Sequence, residues 1–333
     1  MDKENENEID GILYIFAEDG QYGYINQKGK VIIPARYDEA NLFSEGMALV
    51  REDGKYGFIN TEGKTALSLD YDEVMPFSEG MAVVYKDGKA GYINDRGEVV
   101  TPVSFTEAWP FSERLAAVQE KSGLYGFIDK TGSFIISPAY AYADAFNEGL
   151  AAVATHGYTD EYGDDLIDSI GYINKQGEMV ISPVYDVADK FCDGLAVVGK
   201  GEQNAVIDKN GQLIVSMREA DIRNLRAGLS SMSTAEEYVI IDSKGAEIAT
   251  ILDAEYVGMF NNGLVQVQFP QGFTYIDAQG QMLFPPRRYD RVEDFNNGMA
   301  RVCYPSDQKG NCAYIDQQGN YVFQEKHFRE PVD

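Results

Sequence analysis

Histidine and tryptophan are nearly missing from this chain, which has two histidines, His156 and His327, and one tryptophan, Trp109. The two histidines are the only side chains with an ordinary pKa near neutrality, so histidine-based acid and base pairs are scarce. No nucleophile elbow, phosphate-binding loop or zinc-ligand spacing is present. The sequence therefore predicts no cofactor, no metal site and no enzyme. A hydrolase that uses carboxylates alone is the alternative that these absences leave open.

Basic residues are also few, with 28 Lys and Arg against 54 Asp and Glu, a net charge of −26 and a pI near 4.4. Such a surface repels nucleic acid and anionic lipid. It favours a protein or peptide partner of basic character, or it serves only to keep the chain soluble. Apolar residues make up 44%, which suffices for a continuous core but includes no run that predicts membrane insertion. The compartment stays open: cytoplasmic as the chain stands, exported if a leader was removed.

What the chain has in abundance is repetition. "YGYINQKGKVIIP" begins at Tyr22 and "YGFINTEGKTALS" at Tyr56. An isoleucine recurs nine times at intervals of 34, 34, 35, 45, 34, 34, 35 and 39 residues, always followed by Asn or Asp and then, four places after the Ile, by Gly. The isoleucines are Ile25, Ile59, Ile93, Ile128, Ile173, Ile207, Ile241, Ile276 and Ile315. A fixed period of this length predicts a tandem array.

A second phrase, such as "YDEANLFSEGMALV" from Tyr37, lies between the copies. The chain therefore divides into an acidic disordered tail at residues 1–10, nine repeats at residues 11–323, and a C-terminal tail at residues 324–333. The connector residues Tyr37, Ala40 and Phe43 have the spacing of a single helical or 3₁₀ turn.

Each repeat predicts three short β-strands joined by tight turns. In the Asn/Asp-x-x-Gly element, the first side chain caps the following amides and the glycine adopts positive φ. These structural turn residues include Asn26, Gly29, Asn60, Gly63, Asn94, Gly97, Asp129 and Gly132. The fold class is all-β, with three-stranded repeats stacked as an open solenoid or twisted hairpin array; a β-propeller is the alternative. Repeated acids such as Glu79 and Glu148 suggest turn capping more than a cation ladder.

Candidate partner-binding residues lie where the repeats differ. The first strand alternates, so its third position is predicted to face outward; it accepts residues as different as Leu49, Ser231, Gln266 and Arg301. The fifth repeat also carries a long acidic insert, "THGYTDEYGDDLIDS", after Ala154. The predicted partner-binding residues are Asp160, Glu161, Asp164, Asp165, Asp168, Gln266 and Arg301.

Two of the three cysteines flank the widened hairpin loop of the last repeat. Cys303 and Cys312 occupy the positions that Arg51 and Tyr56 hold in the second repeat, which face each other across a hairpin. A cross-strand disulfide between them is geometrically feasible, with two reduced thiols as the alternative. Cys192 is then left as a thiol.

The consensus of the repeats, with "YGFI", Asn or Asp, Gly-Lys, Pro-x-Tyr-Asp and "FSEG" in fixed register, resembles the bacterial WG-repeat family over almost the whole chain. One difference concerns the tryptophan of the family's Trp-Gly pair, which is replaced here by Tyr22, Tyr56, Ala90, Tyr125 and Ile170. The resemblance implies a β-repeat fold and a binding or scaffolding module, and it implies no activity. We predict a non-catalytic scaffold that binds a protein or peptide. A cell-surface or glycan-binding module is a further alternative.

Overall fold

The computed structural model describes residues 12–159, 165–167, 169–218, 221–222, 229–233, 237–304 and 311–329. Within them the regular structure is entirely β-strand and turn. The chain divides into two compact units, the first formed by Met1–Phe77 and Arg288–Asp333 and the second by Ser78–Arg287. The predicted tail at residues 1–10 lies outside the described residues.

Within the described residues, the strands form nine small antiparallel sheets, one for each repeat, and one separate two-stranded hairpin. The first sheet contains β1 (Tyr14–Glu18), β2 (Gln21–Ile25) and β3 (Val31–Tyr37); the second contains β4 (Glu39–Ala40), β5 (Met47–Glu52), β6 (Lys55–Asn60) and β7 (Thr65–Ser68), and β8 (Glu73–Val74) follows.

The second unit holds the third to eighth sheets. The third contains β9 (Met81–Lys86), β10 (Lys89–Asn94) and β11 (Val99–Phe105). The fourth contains β12 (Glu107–Ala108), β13 (Leu115–Gln119), β14 (Tyr125–Asp129) and β15 (Phe134–Tyr140). The fifth contains β16 (Tyr142–Ala143) and β17 (Leu150–Ala154), then a separate hairpin of β18 (Gly157–Thr159) and β19 (Asp165–Ile167), then β20 (Ile170–Asn174) and β21 (Met179–Tyr185).

The sixth sheet contains β22 (Val187–Ala188), β23 (Leu195–Lys200), β24 (Gln203–Asp208) and β25 (Leu213–Arg218). The seventh contains β26 (Asp221–Ile222), β27 (Leu229–Ser233), β28 (Tyr238–Asp242) and β29 (Glu247–Ile251), and the eighth contains β30 (Tyr256–Val257), β31 (Leu264–Phe269) and β32 (Gly272–Asp277). Back in the first unit, the ninth contains β33 (Arg291–Val292), β34 (Ala300–Cys303), β35 (Cys312–Ile315) and β36 (Tyr321–Gln324).

The connector differs from its prediction. It forms no helical turn; instead its residues Glu39 and Ala40 pair with Arg51 and Val50 as an added short strand. The second, fourth, fifth, sixth, seventh and ninth sheets therefore have four strands, where the sequence predicted three. The reason is that the i, i+3 spacing of the connector apolar residues satisfies a strand followed by a bend as well as it satisfies a turn of helix.

The apolar cores lie between neighbouring sheets. Ile170, Tyr172 and Ile181 of the fifth sheet pack against Val198 and Ile207 of the sixth. Equivalent clusters join the fourth sheet to the fifth, the sixth to the seventh, and the seventh to the eighth. A three- or four-stranded sheet of this size buries little apolar surface alone, so each one is stabilised by the repeats on either side.

In the first unit, the first sheet packs against the ninth. Tyr14 and Ile25 share a buried cluster with Met299 and Tyr314, and the rings of Tyr14 and Tyr314 meet edge to face at 5.4 Å. The Tyr314 hydroxyl donates to the carbonyl of Ile15 at 2.7 Å. Terminal repeats of an open solenoid are far apart and capped. The fold class is therefore the β-propeller, and the solenoid that the sequence favoured is wrong.

Candidate functional site

The Asn/Asp-x-x-Gly turns are structural devices with one recurring geometry. The side-chain oxygen of Asn60 accepts the N–H of Glu62 at 3.1 Å and of Lys64 at 2.9 Å, and Gly63 has a φ of 76°. Asp129 makes the same two bonds to Thr131 and Ser133. Asn26 and Asn94 repeat this geometry, and positive φ recurs at Gly29, Gly97 and Gly132.

The phrase "SEG" forms a hairpin turn that binds the next sheet. Glu79 and Gly80 have φ of 53° and 79°, while Ser78 and Met81 exchange two backbone hydrogen bonds. Two consecutive positive φ values define the type I′ hairpin turn, whose twist matches that of the flanking strands. The Ser78 hydroxyl donates to the carbonyl of Phe111, one repeat further along, at 2.7 Å.

The glutamates of these turns form a repeated clamp in the second unit. Glu79 accepts the backbone N–H of Arg114 at 2.9 Å and lies 3.1 Å from the Lys130 ammonium. Glu148 does the same with Gly194 and Lys209, at 2.8 and 3.1 Å. Glu113 repeats the arrangement with Gly149 and Lys175. Each clamp therefore joins one sheet to the following one.

The environment of Glu79 and Glu148 favours the charged form of these two carboxylates. Partial burial raises the pKa of Glu79, but the Lys130 ammonium and backbone N–H groups outweigh it, so the pKa lies below its usual value. The pKa of Glu148 is lowered in the same way. Burial raises it, but the hydrogen bond from the Gly194 N–H and the Lys209 ammonium lower it by more. Within the described residues, no group of three or more His, Cys, Asp or Glu side chains could hold a metal ion.

The third position of the first strand does not face outward. Leu49 and Ser231 are buried, at 3% and 2% exposure. The prediction was wrong because both faces of each sheet pack, so alternation distinguishes two buried faces. The predicted roles of Gln266 and Arg301 in partner binding rested on that outward orientation and stay predictions.

Arg301 is instead part of a buried ion pair in the first unit. Its guanidinium donates to the carboxylate of Glu325 at 2.8 Å, and the Glu325 side chain is fully buried. The same carboxylate accepts the N–H of Ala17 at 3.0 Å and of Cys312 at 3.1 Å. Glu325 therefore joins the first sheet to the ninth. It lies in the segment 324–333 that the sequence assigned to a tail.

Cys303 and Cys312 are disulfide-bonded, with an S–S distance of 2.01 Å. They are directly opposite each other on β34 and β35, the register that Arg51 and Tyr56 have on β5 and β6. The bond closes the widened hairpin loop, of which residues 305–310 lie outside the described part of the chain.

The acidic insert begins and ends as a short antiparallel hairpin, in which Gly157 pairs with Ile167 and Thr159 with Asp165. Asp160, Glu161, Asp164 and Asp168 lie outside the described residues, and their predicted role in partner binding stays a prediction. His156 lies at the base of the hairpin, with its Nδ1 at 2.9 Å from the Thr155 hydroxyl.

A surface that the sequence did not predict is an apolar rim on the second unit. It consists of exposed apolar side chains on the edge strands β11, β15, β21, β25 and β29: Val99, Phe134, Ile135, Met179, Val180, Leu213 and Ile248. Each lies two or three residues after the glycine of the Asn/Asp-x-x-Gly turn. The apolar pattern of the third strand was visible in the sequence, but its exposure depends on which strand lies at the sheet edge.

Residues beside the rim contact the neighbouring sheet. The rings of Phe105, at the end of β11, and Phe134 of the rim meet edge to face at 6.4 Å. A Cβ at Gly177, in the turn before Met179, would lie 3.4 Å from Cγ2 of Ile136, the residue that follows Ile135. The edge strands and turns of consecutive sheets are therefore adjacent, and each of these strands carries at least one rim residue.

Sequence and structure comparisons agree with this architecture. The model of the WG containing repeat matches residues 22–56, 56–89, 91–123, 125–158, 170–203 and 273–304. These segments make up more than half of the chain, which therefore belongs to the WG containing repeat family. Among curated proteins, none matches the sequence.

Three solved structures match the chain at low sequence identity. A crystal structure of a eukaryotic initiation factor has a TM-score of 0.68 at 11% identity, covering 97% of this chain and 100% of that chain. BamB from Moraxella catarrhalis has a TM-score of 0.44 at 14% identity, covering 89% and 94%. Hsv2p from Kluyveromyces lactis has a TM-score of 0.42 at 10% identity, covering 70% and 90%. The first likeness concerns the fold alone.

In the described part of the chain, no helix has the length and apolar character needed to span a membrane.

Proposed function

We propose that the protein is a non-catalytic scaffold that binds a protein or peptide partner through the apolar rim. The observation that carries this proposal is the exposure of apolar side chains on five consecutive edge strands, including Val99 at 58% and Ile135 at 53%. Single exposed apolar residues are ordinary, but exposed apolar residues at the same position of five consecutive repeats are typical of an interaction surface.

The partner's chemistry follows from the charges beside the rim. Exposed Glu98, Glu178 and Glu247 lie directly before the rim residues of their strands. Of the cations in the turns before the rim strands, Lys130, Lys175 and Lys209 are paired with the clamp glutamates, while Arg96 and Lys244 are exposed. With a net charge of −26 over the whole chain, the rim suits a segment that combines apolar side chains with Lys or Arg.

The repeated polar side chains support a structural role for the rest of the surface. The turn glutamates, serines and Asn/Asp residues bind backbone groups of their own or the following sheet. Because these side chains are engaged in holding sheets together, specificity is expected from positions that differ between repeats.

The test is selection of a displayed peptide library on the purified protein, followed by titration of the enriched peptides. Peptides that pair apolar side chains with Lys or Arg should be enriched, and their affinity should fall as salt rises. Ile135→Ser combined with Val180→Ser should weaken binding at least about tenfold, the loss typical of anchor residues. Leu42→Ser, at an equally exposed position of the first unit, is the matched control and should leave binding unchanged.

A second variant separates the rim from the insert. Neutralising Asp160, Glu161, Asp164 and Asp165 together should weaken binding and leave the melting temperature nearly unchanged if the insert contributes. Equal binding by the wild type and the rim variant would reject the rim as the binding surface. Turnover of a substrate that is abolished by replacing one pair of carboxylates would reject the non-enzyme proposal.

A further inference from the structure

A cavity of about 280 Å³ opens in the second sheet, within the first unit. Its floor is apolar and buried, formed by Tyr37, Val50 and Ile59. Its mouth is exposed and polar, formed by Glu52, Asp53, Lys55, Thr65 and Ser68, and Tyr56 lies between floor and mouth. The volume is close to the lower end of small-molecule sites, about 300 Å³.

The cavity lies at a strand that differs from its counterparts. In the first sheet, the edge strand β3 runs for seven residues and bulges around Pro34, so that Tyr37 is buried opposite Tyr22. In the second sheet, β7 has only four residues and ends at Ser68, which occupies the position of Pro34. The counterpart of Tyr37 is Tyr71, which is half-buried. The shortened strand leaves space beside Tyr56.

A change in ion pairing leaves the Tyr56 hydroxyl available. In the fourth sheet, the tyrosine of the same position, Tyr125, donates its hydroxyl to the carboxylate of Glu107. The second sheet has the equivalent carboxylate, Glu39, but this group binds the Arg51 guanidinium at 2.8 Å instead. Within the described chain, the hydroxyls of Tyr56, Thr65 and Ser68 have no hydrogen-bond partner.

The lining restricts the ligand class. Anionic ligands are disfavoured by Glu52, Asp53 and the negative chain. A wholly apolar ligand would cover Asp53 and Lys55 without pairing them, which costs free energy. A sugar ring satisfies both parts, because its C–H face suits the partly exposed Tyr56 ring, while its hydroxyls can donate to carboxylates and accept from hydroxyls and the ammonium.

We infer that this cavity binds a neutral hexose-sized sugar. The partly exposed Tyr56 ring contacts the C–H face of the sugar above the floor of Tyr37, Val50 and Ile59, and Ser68, Thr65 and the mouth charges bind its hydroxyls. The Arg36 guanidinium, which donates to the Tyr37 hydroxyl at 2.7 Å, fixes that ring in the floor. This site is separate from the apolar rim and does not depend on the proposed peptide binding.

The test is ligand-observed NMR with glucose, galactose and mannose, and with their methyl glycosides, which stand in for the terminal residue of a glycan. At least one sugar should bind with a Kd of about 1 mM. Binding of the methyl glycoside as tightly as the free sugar identifies a glycan end; binding of the free sugar alone identifies a soluble monosaccharide.

Variants locate the binding. Tyr56→Phe and Ser68→Ala should each weaken it about fivefold, the effect of one hydrogen bond. The matched control is Tyr125→Phe, which removes a hydroxyl from the same position of the fourth sheet and should leave the affinity unchanged. The inference is rejected if no sugar binds at about twentyfold the expected Kd, or if Tyr56→Phe and Ser68→Ala, with unchanged melting temperatures, bind like the wild type.

Discussion

Glu148 reaches across the boundary between two repeats and accepts the backbone N–H of Gly194 at 2.8 Å. The two residues occupy successive copies of the same hairpin turn, 46 residues apart. One side chain of the repeated phrase therefore holds the main chain of the following copy. Lys209 neutralises the same carboxylate from the turn of that next sheet.

This clamp predicts acid sensitivity. The pKa values of Glu79 and Glu148 are lowered in the folded protein, so their stabilisation is fully present above the unfolded pKa, about 4.3, and is lost as pH falls through the lower folded values. Glu79→Gln combined with Glu148→Gln should lower the melting temperature at neutral pH. The melting temperature of this double variant should also decrease less on acidification than that of the wild type. Exposed Glu202→Gln is the control. An unchanged acid profile in the double variant would reject the clamp as its source.

Replacing the turn glycines by alanine is predicted to lower the stability through two separate effects. Gly132 and Gly149 both have positive φ, but a Cβ at Gly132 would lie 2.6 Å from Cγ2 of Thr101, whereas at Gly149 it would have no neighbour within 4 Å. Both alanine variants should be destabilised by backbone strain, of order 1–3 kcal/mol, and Gly132→Ala further by the clash. Denaturant melts measure the unfolding free energy that each variant loses. Equal losses for Gly132→Ala and Gly149→Ala would contradict close packing of the Gly132 turn on the preceding sheet.

Exchange of the capping residue should be nearly silent. Asn60 and Asp129 bind the same two backbone N–H groups through one oxygen, so Asn60→Asp should change the free energy of unfolding by well under 1 kcal/mol. If thermal melts place Asn60→Asp beside Gly63→Val in severity, the capping interpretation is incorrect.

The buried pair predicts a large effect at Arg301. Arg301→Met leaves the Glu325 carboxylate buried without its cation, which costs about 3–5 kcal/mol. Arg291→Met is the matched control, since its 3.8 Å pair with Glu293 is exposed and exposed pairs contribute about 0–1 kcal/mol. Urea melts compare the two. A stable Arg301→Met variant with impaired peptide binding would support the binding role predicted from the sequence.

The disulfide predicts one titratable thiol in the denatured, non-reduced protein, that of Cys192, and three after reduction. Reduction should lower the stability by about 2–3 kcal/mol, because the bond closes a short loop in the unfolded chain. Three thiols in protein purified from an oxidising compartment would show that Cys303 and Cys312 are not bonded there.

The sequence by itself determined the repeat, its period, the hairpins and the turns, because these depend on residues close together in the chain. Asn60 and Gly63 specify one turn wherever they occur, and nine isoleucines in register predict nine similar sheets. The resemblance to the WG-repeat family rested on the same local columns and is confirmed. Its bacterial origin stays a prediction.

Only the tertiary structure decided how the sheets pack and which side chains are left for a ligand. The contact of Tyr14 with Tyr314, which distinguishes a propeller from a solenoid, joins residues 300 positions apart, and no local pattern encodes it. The alternating residue types along Leu49's strand could not show that both of its faces are buried, because burial depends on the neighbouring sheets that pack on them. The apolar rim and the cavity beside Tyr56 likewise depend on which strand lies at the edge, where it ends, and whether Arg51 or Tyr56 binds Glu39.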